Sequence, residues 1–233
     1  MNIETSVVPP YAVPDRNVYG DNLGNRAGVG HGVDIGSQRM DDLDFLAVEC
    51  LAGLPLGSRI ACDLGCGKGG LLSHMRGVGA IVIGVDNTPI PDAPVFGQGR
   101  AEYIQADLRD TDFNFLNGVS VVTCQRTIHY FPAAQAVYLL SEVRRNMRSA
   151  GDLFISASGL NSELGEGYPH AGYPLFSRFA KLSPVMQEKH GILAPVCLYD
   201  KEGLAEVLTA AGFIVEIGFV STFGNIKMVA RGK

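Results

Sequence analysis

The 233-residue chain contains 29 glycines, 12 prolines and no tryptophan, and 46% of its residues are hydrophobic, which supports one ordinary folded core and excludes a disordered chain. Residues 1–58 carry eight acids and three bases, so they account for the net charge of −5 and the rest of the chain is neutral. A neutral body disfavours an extended surface for DNA or long RNA, which needs a surplus of lysine and arginine.

The expected compartment follows from what the sequence lacks. No apolar run reaches the length that crosses a bilayer, and residues 1–14 have neither the basic nor the apolar region of a secretory signal. The five cysteines are an odd number and form no C-x-x-C pair. We therefore expect a soluble, cytoplasmic protein with reduced thiols, no membrane partner and no metal site.

The elements follow in chain order from an irregular segment, 1–36, whose prolines and glycines predict an arm or lid. From Ser37, a possible cap, apolar residues recur at helical spacing as far as Leu54. Short apolar runs then alternate with helical stretches, which is typical of a parallel sheet with crossover helices. The predicted strands are 59–64, 80–86, 102–106, 119–124, 152–157, 213–220 and 227–230, and the predicted helices are 68–76, 133–148, 177–189 and 201–211.

Two connections stand out in this pattern. The last one, 221–225, is too short for a crossover helix, so the final two strands should be antiparallel. The long insertion 159–195 follows the fifth strand, and a connection of that length is usually functional. We expect one domain over 37–233, with this insertion as a second lid beside the N-terminal arm.

A glycine-rich turn joins the first strand to the next helix in 61–70, ACDLGCGKGG. Such a turn lets the backbone approach a ligand closely. Gly65, Gly67 and Gly70 fit the dinucleotide pattern G-x-G-x-x-G, and Asp86 lies 21 residues after Gly65, where a ribose-binding acid belongs. A nicotinamide-dependent oxidoreductase is therefore one reading of this turn.

Asp63 favours a different ligand. Its carboxylate lies at the end of the strand and faces the turn, where it would repel a pyrophosphate and attract an ammonium group. A ligand with a positive charge is thus the better expectation.

Three segments taken together resemble a known family: 63–70 (DLGCGKGG), 85–86 (VD) and 105–108 (QADL) are similar to the motif series of class I S-adenosylmethionine-dependent methyltransferases. The resemblance implies an α/β, Rossmann-like, seven-stranded and mostly parallel sheet with an antiparallel last strand and helices on both faces. It implies S-adenosyl-L-methionine as cofactor and S-adenosyl-L-homocysteine as product. The implied cofactor contacts are Asp63, Gly65 and Gly67 at the methionine moiety, Asp86 at both ribose hydroxyls, and Asp107 and Leu108 at the adenine. Cys66 and Asn87 are expected as further cofactor contacts.

Two further cofactor contacts are expected from position. Gln125 ends the fourth strand and should line the cofactor pocket, and Arg39, near the start of the first helix, is a candidate partner for the cofactor's carboxylate. The edge after the fourth strand also supplies a catalytic candidate, His129, whose ordinary pKa suits it as a base for a hydroxyl or N–H acceptor. An aromatic ring nitrogen with a free lone pair would need no base.

The acceptor pocket is expected between the fourth strand and the two lids. Arg126 could pair with an acidic acceptor, and aromatic side chains would enclose a flat small molecule. The expected substrate-binding residues are Tyr19, Arg126, Tyr130, Tyr168 and Tyr173.

These features favour methyl transfer to N or O of a small, aromatic or heterocyclic metabolite. Cys66 to Gly70, together with Cys124-Gln125 and His129-Tyr130, is locally similar to messenger RNA cap guanine-N7 methyltransferases, which gives an alternative acceptor. A nicotinamide-dependent oxidoreductase and a non-catalytic cofactor-binding module are the remaining alternatives.

Overall fold

The short apolar runs form one seven-stranded sheet in the computed structural model, which describes residues 40–89 and 100–232. The strand order is β3-β2-β1-β4-β5-β9-β8, with β9 antiparallel to both neighbours and the other pairs parallel. This confirms the predicted fold class, including the antiparallel end. The strands of the sheet are β1 (Ile60–Leu64), β2 (Ile81–Asp86), β3 (Ala101–Gln105), β4 (Val121–Gln125), β5 (Asp152–Ala157), β8 (Phe213–Val220) and β9 (Ile226–Gly232), while β6 (Phe179–Ala180) and β7 (Val196–Cys197) form a separate pair.

Helices cover both faces of the sheet, as predicted. The first two helices bury their apolar sides in one core cluster, and the third and fifth bury theirs in a second, larger cluster on the other face. The side chains of each strand alternate between the two clusters, because successive residues of a strand point to opposite faces. The helices are α1 (Asp42–Gly53), α2 (Gly70–Gly77), α3 (Ala133–Asn146), α4 (Pro184–His190) and α5 (Lys201–Ala210).

The first helix begins later than its apolar spacing suggests. Asp41 is its N-cap and accepts hydrogen bonds from the backbone of Leu43 and Asp44, while the Asp44 carboxylate accepts from the backbone N–H of Asp41. This reciprocal capping box satisfies the free N–H groups of the first turn. The predicted cap, Ser37, lies outside the described residues.

The insertion contains less helix than predicted. The expected helix over 177–189 is wrong, since only α4 is helical there. Ser183 caps α4 and Pro184 occupies its first turn, and a proline at that position marks the start of a helix rather than its interior. The preceding residues instead form β6, which pairs with β7.

The insertion has its own small core. A cluster of buried apolar side chains joins its two halves, so the segment folds as a packed unit on the main body. The buried members of the insertion core are Tyr168, Leu182, Met186, Ile192, Val196 and Leu198.

Among the described residues, no helix is both long and apolar enough to cross a membrane.

Candidate functional site

The carboxyl ends of β1, β2 and β4 meet at one edge of the sheet, and the glycine turn lies there. The backbone N–H groups of Gly65 and Cys66 both donate to the carbonyl of Val85 at the end of β2, at 2.7 and 3.1 Å. The turn is therefore held against β2 by main-chain hydrogen bonds, in a position set by the sheet.

Three glycines of the turn have left-handed backbone conformations. Gly65, Gly67 and Gly69 have φ angles of 77°, 50° and 75°, which side chains other than glycine rarely adopt. A Cβ on Gly65 would lie 2.1 Å from Oγ1 of Thr127. The loops after β1 and β4 thus press together at Gly65, and the turn requires glycine for both reasons.

Asp63 lies at the end of β1 with 5% of its surface exposed. The Thr123 hydroxyl donates to its Oδ1 at 2.7 Å, and across the described part of the chain no cationic side chain forms an ion pair with it. Burial is the main cause that raises the pKa of Asp63 to about 7; the hydrogen bond from Thr123 acts in the opposite direction, and the nearby charge of Asp86 acts in the same direction as burial. A buried carboxyl group without a counter-ion is thus present where an ammonium group was expected.

A second buried carboxyl group comes from the first helix. Asp44 is 6% exposed, and its Oδ1 accepts a hydrogen bond of 2.7 Å from the side-chain amide of Gln125. The amide oxygen of Gln125 accepts from the hydroxyl of Ser156 on β5. Gln125 therefore spans α1 and β5, so its amide is occupied within the protein and differs from the freely available cofactor contact that its position suggested.

A buried lysine completes this part of the edge. Lys227, on β9, is 3% exposed and lies opposite Ser156 in the sheet. Its Nζ lies 3.2 Å from Oδ2 of Asp41, the cap of α1. This ion pair fixes the start of α1 to the last strand, beside Asp44.

Asp86 ends β2 as predicted, and its carboxylate already accepts several hydrogen bonds. Oδ2 accepts from the backbone of Gly67 at 2.9 Å, and Oδ1 accepts from both the backbone and the hydroxyl of Thr88 at 3.0 and 2.9 Å. A carboxylate has about four acceptor positions. One position is therefore left for a ribose hydroxyl, and a second becomes available when the Thr88 hydroxyl turns away.

Asp107 is also engaged. Its two oxygens receive the guanidinium of Arg109 in a fork, with Nε at 2.9 and 3.1 Å. Leu108 is buried in the core next to it, and its role as an apolar wall for the adenine stays a prediction. An adenine amino group would meet Asp107 already paired with Arg109.

His129 lies deeper than a freely titrating base would. It is 2% exposed, its Nδ1 has no hydrogen-bond partner, and its ring centroid lies 4.3 Å from that of Tyr130. Burial lowers the pKa of His129 to about 3, with the charge of Arg126 acting in the same direction. The charged form of His129 would lose solvation in the core, so the imidazole is a weaker base than an exposed one, and its catalytic role stays a prediction.

Tyr130 is half-buried and packs against both the main core and the core of the insertion, so it lies where the two meet.

Arg126 is exposed with a left-handed φ of 50°, and its backbone N–H donates to the carbonyl and hydroxyl oxygens of Ser156. Asn87 is exposed, and Cys66 is buried with its thiol donating to the carbonyl of Gly67 at 3.6 Å.

The two predicted tyrosines of the insertion differ. Tyr168 is buried in the insertion core, and its hydroxyl contacts the carbonyls of Arg178 and Val196. Its expected contact with substrate is contradicted, since both its ring and its hydroxyl are used within the insertion. Tyr173 is 52% exposed and stacks on His170 with ring centroids 4.5 Å apart. The other lid residue, Tyr19, and the candidate Arg39 lie outside the described residues.

Six polar residues of the edge were not singled out in the sequence: Asp44, Thr88, Thr123, Thr127, Ser156 and Lys227. Asp44 had a detectable signal, because it falls on the buried side of α1 with Leu43, Ala47 and Leu51. A charged residue on such a stripe is uncommon unless it is paired. The three threonines contact Asp86, Asp63 and Gly65. Nothing in the sequence around them marks these contacts.

Comparisons with known proteins agree with this architecture. A family profile described as "Methyltransferase domain" matches residues 62–155, which include the glycine turn, Asp86, Asp107 and β4. No curated protein sequence matches the chain significantly.

Several solved structures share the fold. A 1,6-didemethyltoxoflavin-N1-methyltransferase from Burkholderia thailandensis, with S-adenosylhomocysteine bound, is 18% identical with a TM-score of 0.62, over 86% of this chain and 80% of that one. Magnesium protoporphyrin IX methyltransferase from Synechocystis PCC 6803 is 16% identical with a TM-score of 0.58, over 82% of each chain. The mitomycin 7-O-methyltransferase MmcR is 16% identical with a TM-score of 0.56, over 81% of this chain and 54% of that one.

Proposed function

The chain carries the methyltransferase domain of the class I S-adenosylmethionine-dependent family, and on that premise we propose that it methylates N or O of a small, aromatic or heterocyclic metabolite. S-adenosylmethionine is its cofactor. The proposal concerns the acceptor and the residues that act on each partner.

The cofactor fits the residues at the carboxyl edge. The carboxyl group of Asp63, which forms no ion pair within the described part of the chain, matches the ammonium of the methionine moiety, and the left-handed Gly65 and Gly67 allow main chain to approach that moiety. Asp86 has one open acceptor position for the ribose, and Asp107 with Leu108 faces the adenine. Bound S-adenosylmethionine supplies a methyl group already activated on its sulfonium.

The protein's own contribution is then to position the two reactants and exclude water, since an activated methyl group needs mainly an in-line approach at about 3 Å. The insertion serves as a preformed wall, because it has a separate core and Tyr130 joins that core to the body. Tyr173 is exposed and stacks on the half-buried His170, and its ring offers a flat surface to an aromatic acceptor.

The observation that best supports a small aromatic acceptor is the packed insertion after β5, which presents exposed aromatic side chains. The neutral charge of residues 59–233 agrees with such an acceptor. The names of the similar structures agree with it. They describe enzymes acting on a toxoflavin precursor, a magnesium porphyrin and a mitomycin, at nitrogen in the first and at oxygen in the last.

The low pKa of His129 narrows the range of acceptor groups that we expect the protein to methylate. An imidazole whose pKa is held near 3 by burial is neutral at pH 7 and a weak acceptor for a hydroxyl proton. We therefore favour an acceptor nitrogen that already holds a free lone pair, for which no base is required. His129 remains the candidate if the acceptor carries a proton.

Two assays test the proposal. Calorimetry with S-adenosylmethionine, S-adenosylhomocysteine and NAD should show binding of the first two and none of NAD. Methyl transfer from labelled cofactor should then be found with nitrogen heterocycles and phenols, and not with capped RNA or GTP. Transfer to capped RNA alone would overturn the small-molecule acceptor, and tight NAD binding without binding of S-adenosylhomocysteine would overturn methyl transfer altogether.

A further inference from the structure

Asp44 is a buried carboxyl group that the proposed chemistry does not use. It lies on the first turn of α1, which packs against β4 and β5, and it is close enough to Asp63 for their charges to interact. Its oxygens accept from two neutral donors, the amide of Gln125 at 2.7 Å and the backbone N–H of Asp41 at 2.9 Å.

The buried lysine of this edge pairs with a different carboxylate. Lys227 is paired with Asp41, on the same helix turn, at 3.2 Å. Asp63 receives only the neutral hydroxyl of Thr123. Across residues 40–89 and 100–232, Asp44 and Asp63 form no ion pair, so two buried carboxyl groups share one edge without a counter-ion of their own.

We propose that Asp44 is a second carboxylate for the ammonium group of the cofactor's methionine moiety, acting beside Asp63. The inference rests on the proposed function, which gives Asp63 that role. Gln125 and Ser156 act as positioning residues, because the hydrogen bond from Gln125 holds the Asp44 side chain toward the end of β4.

A proton balance follows from this arrangement. Burial, with the charges of Asp41 and Asp63, raises the pKa of Asp44 well above its usual range, and burial does the same for Asp63. Without the cofactor, the two groups therefore hold carboxyl protons near neutral pH. When the ammonium enters, both groups are favoured as carboxylates, and each proton that they held passes to the solvent buffer.

The experiment is calorimetry of S-adenosylhomocysteine binding at pH 6.5 in phosphate and in imidazole, two buffers that both accept protons at this pH and whose ionisation enthalpies differ. The difference between the two heats gives the number of protons released. For the wild-type protein we expect net release, and none with 5′-methylthioadenosine, which lacks the amino-acid part. Equal release with both ligands, or no release with either, overturns the inference without needing any variant.

Two variants assign the protons. Asp44→Asn should bind S-adenosylhomocysteine about 10-fold more weakly, since one charge-assisted contact is lost, and should release fewer protons. It should bind 5′-methylthioadenosine as the wild type does, which also shows that its site is folded. Asp63→Asn should keep part of the release, because Asp44 still loses its proton. Glu49→Gln, an exposed change on the same helix, is the matched control and should behave as wild type.

The outcomes separate the two proposals. Wild-type protein that fails to bind S-adenosylhomocysteine contradicts the proposed function itself. If binding is normal and Asp63→Asn weakens it, while Asp44→Asn changes neither affinity nor proton release, only the role of Asp44 fails. If Asp44→Asn fails to fold, complete loss of proton release in Asp63→Asn gives the same negative result.

Discussion

Two buried aspartates at opposite edges of the same sheet have opposite surroundings. Asp152 begins β5 at the amino edge, where Arg231 donates to its Oδ1 at 2.9 Å and the thiol of Cys50 donates to its Oδ2. Asp63 ends β1 at the carboxyl edge and receives one neutral hydroxyl. The amino-edge acid has its counter-ion on β9, whereas the carboxyl-edge acid has none among residues 40–89 and 100–232 and is open to one from a ligand.

This difference indicates that Asp152 stabilises the fold, whereas Asp63 is available for binding a ligand. When a buried carboxylate is paired with a cation of the same protein, their attraction offsets the free energy of desolvating the carboxylate. When a buried carboxyl group has no such partner, its ionised form destabilises the free protein until a cation binds. Four predictions can break or sharpen this comparison, beginning with the largest expected effect.

The first concerns stability against pH. The pKa of Asp63 is about 7 in the folded protein and near 4 in the unfolded chain, so between these values only the unfolded chain releases the proton. Wild-type stability should fall across that window, and Asp63→Asn should be the more stable protein at pH 8 by about 2 to 4 kcal/mol. Urea unfolding of the cofactor-free proteins at pH 4.5 and pH 8 measures it, and an equal difference at both values would contradict the raised pKa.

The second concerns the same substitution in binding. Asp63→Asn should weaken S-adenosylhomocysteine about 30-fold, or ~2 kcal/mol, because a charge-assisted contact becomes a neutral one. Asp152→Asn at the amino edge should leave the affinity unchanged. Calorimetry at pH 8 decides, and similar losses in both variants would mean that the two edges do not differ in function.

The third compares two glycines with similar backbones at the two edges. Gly65 and Gly118 have φ angles of 77° and 82°, yet only Gly65 would bring a Cβ into contact, against Thr127. Gly118→Ala should cost about 1 kcal/mol from the backbone alone, and Gly65→Ala should cost ~1 to 2 kcal/mol more from overpacking. Urea unfolding measures both, and equal costs would show that Thr127 moves aside freely.

The fourth and smallest concerns the pair at the amino edge. Asp152→Asn should lower stability by about 1 kcal/mol, since the guanidinium of Arg231 is half exposed and keeps Glu216 at 3.2 Å. Salt should reduce the difference between wild type and variant. A salt-independent loss of several kcal/mol would instead indicate a tightly desolvated pair.

The sequence predicts the sheet and its carboxyl edge well, because both depend on local pattern. The alternation of apolar runs gave the strands, and the short connection before β9 gave its antiparallel direction. Asp63 and Asp86 end their strands where the motif placed them, and the glycine turn between them has the left-handed angles that only glycine readily adopts. These features are encoded within a few residues of one another.

What the sequence could not predict depends on contacts between distant segments. Gln125 was expected to meet the cofactor, but its amide bonds to Asp44, 81 residues earlier, and to Ser156. Tyr168 looked like a pocket residue, yet β6 and β7 enclose it. Whether Asp107 can accept a hydrogen bond from an adenine depends on the orientation of Arg109, which pairs with it here. A sequence motif does not encode that orientation.

The direction of β9 has a practical consequence for handling the protein. The strand starts at the carboxyl edge, where Ile226 pairs with Ala157, and finishes at the amino edge, where the backbone of Gly232 donates to Gly151. A tether attached beyond Gly232 therefore leaves from the side opposite the glycine turn. Surface immobilisation through that end should keep the cofactor entrance facing the solution.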